Sequence, residues 1–224
     1  MQILIVSATY VEVEFLITHF DAKKMGERLY NFYLNNNNFD ILITGIGLAA
    51  TSFFLTNTLS SKKYDFVLNM GICGSFKHNI SIGSVVSVIS QHYGDLGAED
   101  GNQFIPFANI KLSKSENIFN QFSFKNPNST IAKLPHVNSI SVNKVHGKEE
   151  SIKQVIEIFN PDIESMEGLA IFFVCIQKEI PFLEIRAVSN YVERRNVSNW
   201  NIPLALENLT QEAVKICHSF DKAL

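Results

Sequence analysis

Cysteine and charge are both scarce in this 224-residue chain. The three cysteines, Cys73, Cys175 and Cys217, are far apart and odd in number, and none has CxxC or Cys/His ligand spacing. Neither a disulfide framework nor a zinc centre is supported. The acids Asp95, Glu99 and Asp100 lie in a glycine-punctuated stretch without EF-hand spacing, so they read as a solvated loop. No metal or other cofactor is expected. Lys and Arg (19) do not outnumber Asp and Glu (22) and form no basic cluster, which leaves no nucleic-acid footprint. No uncharged apolar run approaches the ~20 residues of a membrane span. The first residues lack a basic segment and carry Glu12 and Glu14 within their apolar part. They read as a core strand rather than a signal peptide, and the expected location is the cytoplasm. No repeat or linker divides the chain, so one domain over 1–224 is expected.

What is present is apolar and periodic. Hydrophobic residues make up 46% of the chain, enough for a full core at this length. The run Gln2–Ser7 predicts a central strand buried on both faces. Val13, Leu16, Ile17 and Phe20 recur as one face of a helix, with Glu12 off that stripe in the first turn, where the helix dipole favours a carboxylate. Segments 28–34 and 39–44 flank four asparagines and read as a hairpin. Gly45 and Gly47 open a helix running through Leu59. The third glycine of a dinucleotide fingerprint is replaced by Ala50, so a tight strand-to-helix turn is the preferred reading. A buried strand over 65–70 leads into Gly71-Ile72-Cys73-Gly74-Ser75, read as a loop with outward backbone N–H groups. Strands follow at 84–90 and 140–145. Segment 104–135 reads as a polar surface excursion or lid. Ile152, Val155, Ile156 and Phe159 mark a helix that Pro161 follows, and Leu206, Leu209, Ala213, Cys217 and Phe220 mark the last one, begun at Pro203.

Segment 163–190 organises the rest. It carries Glu164-Ser165-Met166-Glu167-Gly168, an apolar helix over 169–176, and a strand over 182–188 that ends in Ser189-Asn190. Glu167 falls at a helix start, and Asn190 falls just beyond the carboxyl end of a strand, where open α/β sheets hold ligands. Arg186 interrupts an otherwise apolar strand and needs a partner. Arg194 and Arg195, beside Trp200, are candidates to anchor an anionic group.

Taken together, Ser7-Ala8 with Glu12, Asn69-x-Gly71-x-x-Gly74, Ser165-Met166-Glu167-Gly168 and Arg186-Ala187-Val188-Ser189-Asn190 resemble the purine nucleoside phosphorylase/nucleosidase superfamily. The closest branches are the methylthioadenosine/adenosylhomocysteine nucleosidases and, nearer still, the futalosine hydrolases. The likeness runs nearly end to end and is weakest over 104–135. It implies an α/β fold, a three-layer αβα sandwich around a central twisted mixed sheet. It also implies cleavage of an N-glycosidic bond, a nucleoside as small-molecule partner, and a homodimer or larger homo-oligomer. By position, it assigns Glu12 to activating water and Glu167 to the ribose hydroxyls, with Met166 packed on the ribose. Arg186 would orient water and carboxylate, and Asn190 would read the purine near N7, next to Ser189. Cys73 and Gly74 would line the base and water site. Segment 144–149 would flank the base, with Lys148 where the adenine-specific enzymes carry an aromatic.

The residues fit that chemistry with one departure. Adenine-directed relatives carry Asp where this chain has Asn190. Asn is no proton source at neutral pH, but its amide can donate to O6 of a 6-oxopurine while its oxygen accepts from N7–H. Around the first helix, Thr9-Tyr10-Val11-Glu12 has no glycine or arginine to cradle phosphate, and a carboxylate there suits water. Hydrolysis of a 6-oxopurine nucleoside is therefore expected. The rivals are an adenine-directed nucleosidase, a phosphorylase, and a non-catalytic nucleoside-binding module on the same fold.

Overall fold

The computed structural model describes residues 1–101, 103–110, 123–125 and 133–220. Most of segment 104–135 lies outside the described residues. The strands are β1 (Gln2–Ser7), β2 (Lys23–Lys24), β3 (Leu29–Leu34), β4 (Asn37–Ile43), β5 (Phe66–Ser75), β6 (Val85–Tyr93), β7 (Gly97–Asp100), β8 (Gln103–Pro106), β9 (Ser123–Lys125), β10 (His136–Ser141), β11 (Ile163–Ser165) and β12 (Phe182–Tyr191). The helices are α1 (Tyr10–His19), α2 (Leu48–Ser61), α3 (Glu149–Phe159), α4 (Gly168–Gln177) and α5 (Ile202–Ser219). No helix among the described residues is long and apolar enough to cross a membrane.

The main sheet runs β11-β10-β6-β12-β5-β1-β4-β3-β2, with β9 added on β6. Strands β4, β1, β5 and β12 are parallel, whereas β6 is antiparallel to β12, so the sheet is mixed. Strand β11 pairs with β10 and also, antiparallel, with the end of β5 at Gly74 and Ser75. That second pairing curls one half of the sheet back on itself. Alternation along the strands separates two cores. On β1, Ile3 and Ile5 face α1 and α5, while Leu4 and Val6 face α2 and α4. Three layers, αβα, follow as expected. Each side chain fully withdrawn from water in these cores contributes about 1.5–3 kcal/mol.

Several boundaries differ from expectation. The glycine segment 71–75 is not a loop: it continues β5, because β12 lies along one side of it and β11 along the other. Strand β6 runs on to Tyr93 and β12 to Tyr191, while β10 starts and ends four residues earlier than expected. The acidic stretch after Asp95 is a β7–β8 hairpin with Glu99 and Asp100 exposed. The asparagine hairpin forms, with Asn35 taking a positive φ in its turn and Asn37 already paired in β4.

Midway along β4 lies a buried charge, Asp40. It accepts from Lys62 Nζ (2.6 Å), Tyr64 Oη (2.6 Å) and Asn31 Nδ2 (2.8 Å). Burial by itself pushes the carboxyl up, but these donors more than offset it and hold Asp40 below its ordinary range. A depressed carboxyl adds stability above its unfolded value and loses it as pH falls through the folded one. Asp40→Asn is thus expected to lower stability by roughly 1–3 kcal/mol at neutral pH. It should also flatten the acid side of the stability–pH curve, as read by urea melts from pH 3 to 7.

Candidate active site

The carboxyl ends of β1, β5 and β12 converge on one crevice. Glu12 reaches it from the first turn of α1, which starts directly after β1. Its side chain is buried, and four donors hold it. Ser7 Oγ, Thr9 N–H and Thr9 Oγ1 all donate to Oε2 at 3.0 Å, while Ile72 N–H, from β5, donates to Oε1 at 3.0 Å. A carboxylate so fully hydrogen-bonded has a single orientation, with Oε1 turned toward Gly71 and Arg186.

Glu167 is the residue before α4 and is also buried. Its Oε1 accepts from Gly47 N–H at 3.0 Å, and its Oε2 lies 3.7 Å from Arg186 Nη1. The Gly45/Gly47 turn is therefore more than a connection: positive φ at both glycines, with Gly47 at 94°, aims a backbone donor at the site. Burial raises Glu167 above the ordinary carboxyl range. Arg186 and the Gly47 N–H counter this, and the charges of Glu12 and Glu184 add to the rise. Arg186 itself is fully buried on β12 and kept charged by these acids.

At the other end of the crevice, β12 slips by one residue against β5 between Val188 and Asn190. Such a bulge re-aims the next side chain, here Asn190 beside Gly74. Asn190 therefore belongs to the strand instead of standing beyond it. The Ser189 hydroxyl lies 2.8 Å from Asn190 Oδ1 and 3.1 Å from the Cys73 carbonyl, and Asn190 Nδ2 donates to Tyr191 O at 2.9 Å. Each amide atom keeps one hydrogen-bonding position free of these contacts. Burial pushes the Cys73 thiol up to about 12, so it stays neutral.

Glu12, Cys73, Gly74, Met166, Glu167, Ser189 and Asn190 line one pocket of about 490 Å³. Arg186 lies beneath its floor, behind Gly71. Lys148 is not brought in. It caps α3, with Nζ 3.7 Å from Glu150, and lines a neighbouring cleft of about 440 Å³. Of the two arginines near Trp200, Arg195 lines the pocket, its guanidinium 4.9 Å from the indole centroid.

Three features escaped the sequence reading. Glu184 is completely buried and binds Arg186 Nε at 2.7 Å, closer than Glu167 comes to the same guanidinium. The signal was available: Glu184 and Arg186 are two apart on one strand and so share a face. Gln91, on the extension of β6, donates to Glu184. Glu164 holds segment 144–149, accepting from His146 N–H at 3.1 Å and contacting His146 Nδ1 at 2.6 Å.

Gly71 has no room for a side chain. A Cβ there would run into Arg186 Nη1 and stand 2.8 Å from Glu12 Oε1. Gly71→Ala is expected to separate these two groups and cut turnover by about 100-fold. The check is a kcat measurement beside a thermal melt confirming that the variant is folded.

A family model described as the phosphorylase superfamily matches residues 2–223. A futalosine hydrolase of Acidothermus cellulolyticus is 28% identical over 175 residues, covering 76% of this chain and 71% of that protein. A 5′-methylthioadenosine/S-adenosylhomocysteine nucleosidase of Glaesserella parasuis is 24% identical over 249 residues, covering 98% of this chain and 100% of that one. In fold, the chain is similar to the native futalosine hydrolase of Helicobacter pylori, with a TM-score of 0.80 at 18% identity over 100% of this chain and 98% of that one. Since the family match extends over nearly the whole length, the chain belongs to the phosphorylase superfamily.

Proposed function

We propose that this protein is a nucleosidase that hydrolyses the N-glycosidic bond of futalosine, releasing hypoxanthine and dehypoxanthine futalosine in the futalosine route to menaquinone. The observation that carries hydrolysis is the carboxylate of Glu12, fixed by four hydrogen bonds in the pocket wall next to Glu167 and Arg186. Breaking the C1′–N9 bond builds an oxocarbenium-like sugar and sends the electron pair onto the purine. Glu12 accepts a proton from water as the water oxygen bonds to C1′. Glu167 accepts from the ribose hydroxyls, and its charge favours the cationic sugar. Arg186 orients both acids. Glu12, Glu167 and Glu184 surround this one guanidinium, an arrangement that disfavours an attacking phosphate and argues against phosphorolysis.

Asn190 supports a 6-oxopurine leaving group. Its amide donates to O6, and its oxygen accepts from N7–H once a proton from solvent has reached N7 to complete the leaving hypoxanthine, using the positions that Ser189 and Tyr191 leave free. Arg195 stacked on Trp200 at the pocket wall suits an aryl carboxylate on the substrate, such as futalosine carries. Adenine-directed nucleosidases are the second reading, because such relatives match the chain at a similar identity. A homodimer or larger homo-oligomer is consistent with the exposed Val11 and Phe15 of α1 and Ile46 and Phe53 at α2, two of which also line the pocket. The reaction needs no cofactor, and the cytoplasm is the compartment it suits.

The test is release of free base from futalosine, inosine and methylthioadenosine, each with and without phosphate. Hypoxanthine from futalosine, independent of phosphate, is the expected result; adenine from methylthioadenosine, or a requirement for phosphate, overturns the reading. In the same assay Glu12→Gln should bind substrate yet lose about 10²–10⁴-fold in turnover. Asn190→Asp should move the ratio of kcat/KM toward 6-aminopurine nucleosides by about 1–3 kcal/mol.

A further inference from the structure

Glu184 contacts neither water nor nucleoside in the reaction proposed above, yet it is the most deeply buried acid next to the pocket, at 0% exposure. It lies on β12 two residues before Arg186, on the face that also carries Phe182 and Val188 toward α2 and α4. Its Oε1 accepts from Arg186 Nε at 2.7 Å. Gln91 Nε2, from β6, lies 3.2 Å from both carboxylate oxygens. Gln91 Oε1 accepts from Ser141 Oγ of β10 (3.1 Å), and Ser141 Oγ accepts from Leu169 N–H (2.9 Å) in the first turn of α4. An unbroken chain of hydrogen bonds thus joins the guanidinium to the helix that Glu167 precedes. Gly168 lies directly on this chain. A Cβ there would overlap Gln91 Nε2 and Glu184 Oε1 and stand 2.8 Å from Glu184 Oε2.

A guanidinium is a rigid planar fork, so fixing one edge fixes the other. Glu184 takes the Nε edge and leaves Nη1 between Glu167 and Gly71, where Glu12 Oε1 also lies. Glu184 also balances part of the positive charge that Glu12 and Glu167 would otherwise share. We infer that Glu184 is a positioning residue for base release, orienting Arg186 toward Glu12 and Glu167 and tying that orientation to α4 through Gln91 and Ser141. The inference rests on the nucleosidase reading above.

The test compares Glu184→Gln with the paired exchange Glu184→Gln/Gln91→Glu. In the single variant an amide meets the Gln91 amide, and the buried negative charge is gone. Release of free base is expected to lose about tenfold or more in kcat. KM should change by less than about threefold, because the substrate's own contacts remain. The acid limb of the kcat–pH profile should move to lower pH, since loss of a negative charge lets neighbouring carboxyls ionise more readily. The titratable groups around Arg186 are Glu184 on its own strand, Glu167 ahead of α4, Glu12 of α1, and the neutral Cys73 thiol of β5. A loss of stability alone would leave that limb in place. The paired exchange returns a carboxylate to the network one residue further from Arg186 and should recover part of kcat.

A folded Glu184→Gln protein with wild-type kcat and an unmoved acid limb overturns the inference. Should the single variant fail to fold, the paired exchange decides: a displaced limb with lowered kcat supports the role, and wild-type behaviour overturns it. Absence of base release by the wild-type protein would instead overturn the nucleosidase reading, and this inference with it. Loss confined to the variants separates the two.

Discussion

A buried positive charge is the constraint on which the site depends. Arg186 is 1% exposed in the middle of a central strand, and a guanidinium in that position must be paired. Removing one partner of such a pair typically costs about 3–5 kcal/mol, because it strands the other charge. Three carboxylates gather around it. Glu184 comes from the same strand, Glu167 from the head of α4 and Glu12 from the head of α1, while Gly71 keeps the space between them open. Two glycines that look like punctuation in the sequence, Gly71 and Gly168, are positions where a methyl group would occupy the space of a charged side chain.

The same arrangement sets function against stability. Glu167 is raised above its ordinary range by burial and by the neighbouring charges of Glu12 and Glu184. An acid whose folded value is raised opposes folding once pH passes its unfolded value, since the folded protein then binds the proton more tightly than the unfolded chain. Asp40 has the opposite sign, because its donors stabilise the charge. The charge of Glu167 is instead opposed by burial and by like charges, an opposition that a developing cation would relieve.

Much of the fold was legible because periodicity is local. β1, the asparagine hairpin and the apolar stripes of α1 and α5 follow from residue order alone. Strand ends were not legible at 71–75 and 189–191, because pairing with distant strands, not local propensity, carries β5 and β12 through glycine and asparagine. Motif spacing drew attention to Glu12, Glu167, Arg186 and Asn190, and the tertiary structure brings all four to one crevice. Lys148 was expected near the base from the resemblance of segment 144–149 and lines a neighbouring cleft instead, since a side chain's direction at a helix start depends on how that helix packs. Glu184 went unnoticed because a single charge on an apolar strand drew attention away from its neighbour two residues earlier.

The order of residues by itself determined an α/β chain, with buried strands, amphipathic helices, acids at helix starts and one arginine within an apolar strand. These are consequences of burial and backbone periodicity, which act over a few residues. Only the tertiary structure decided which acid holds Arg186, that Gly47 donates to Glu167, that a bulge turns Asn190 toward Gly74, and that Arg195 rather than Arg194 or Lys148 lines the pocket. Each of these joins residues far apart in sequence or depends on where a side chain points. Distances of that kind are set when the sheet closes and the helices settle on it, and local sequence carries no record of them.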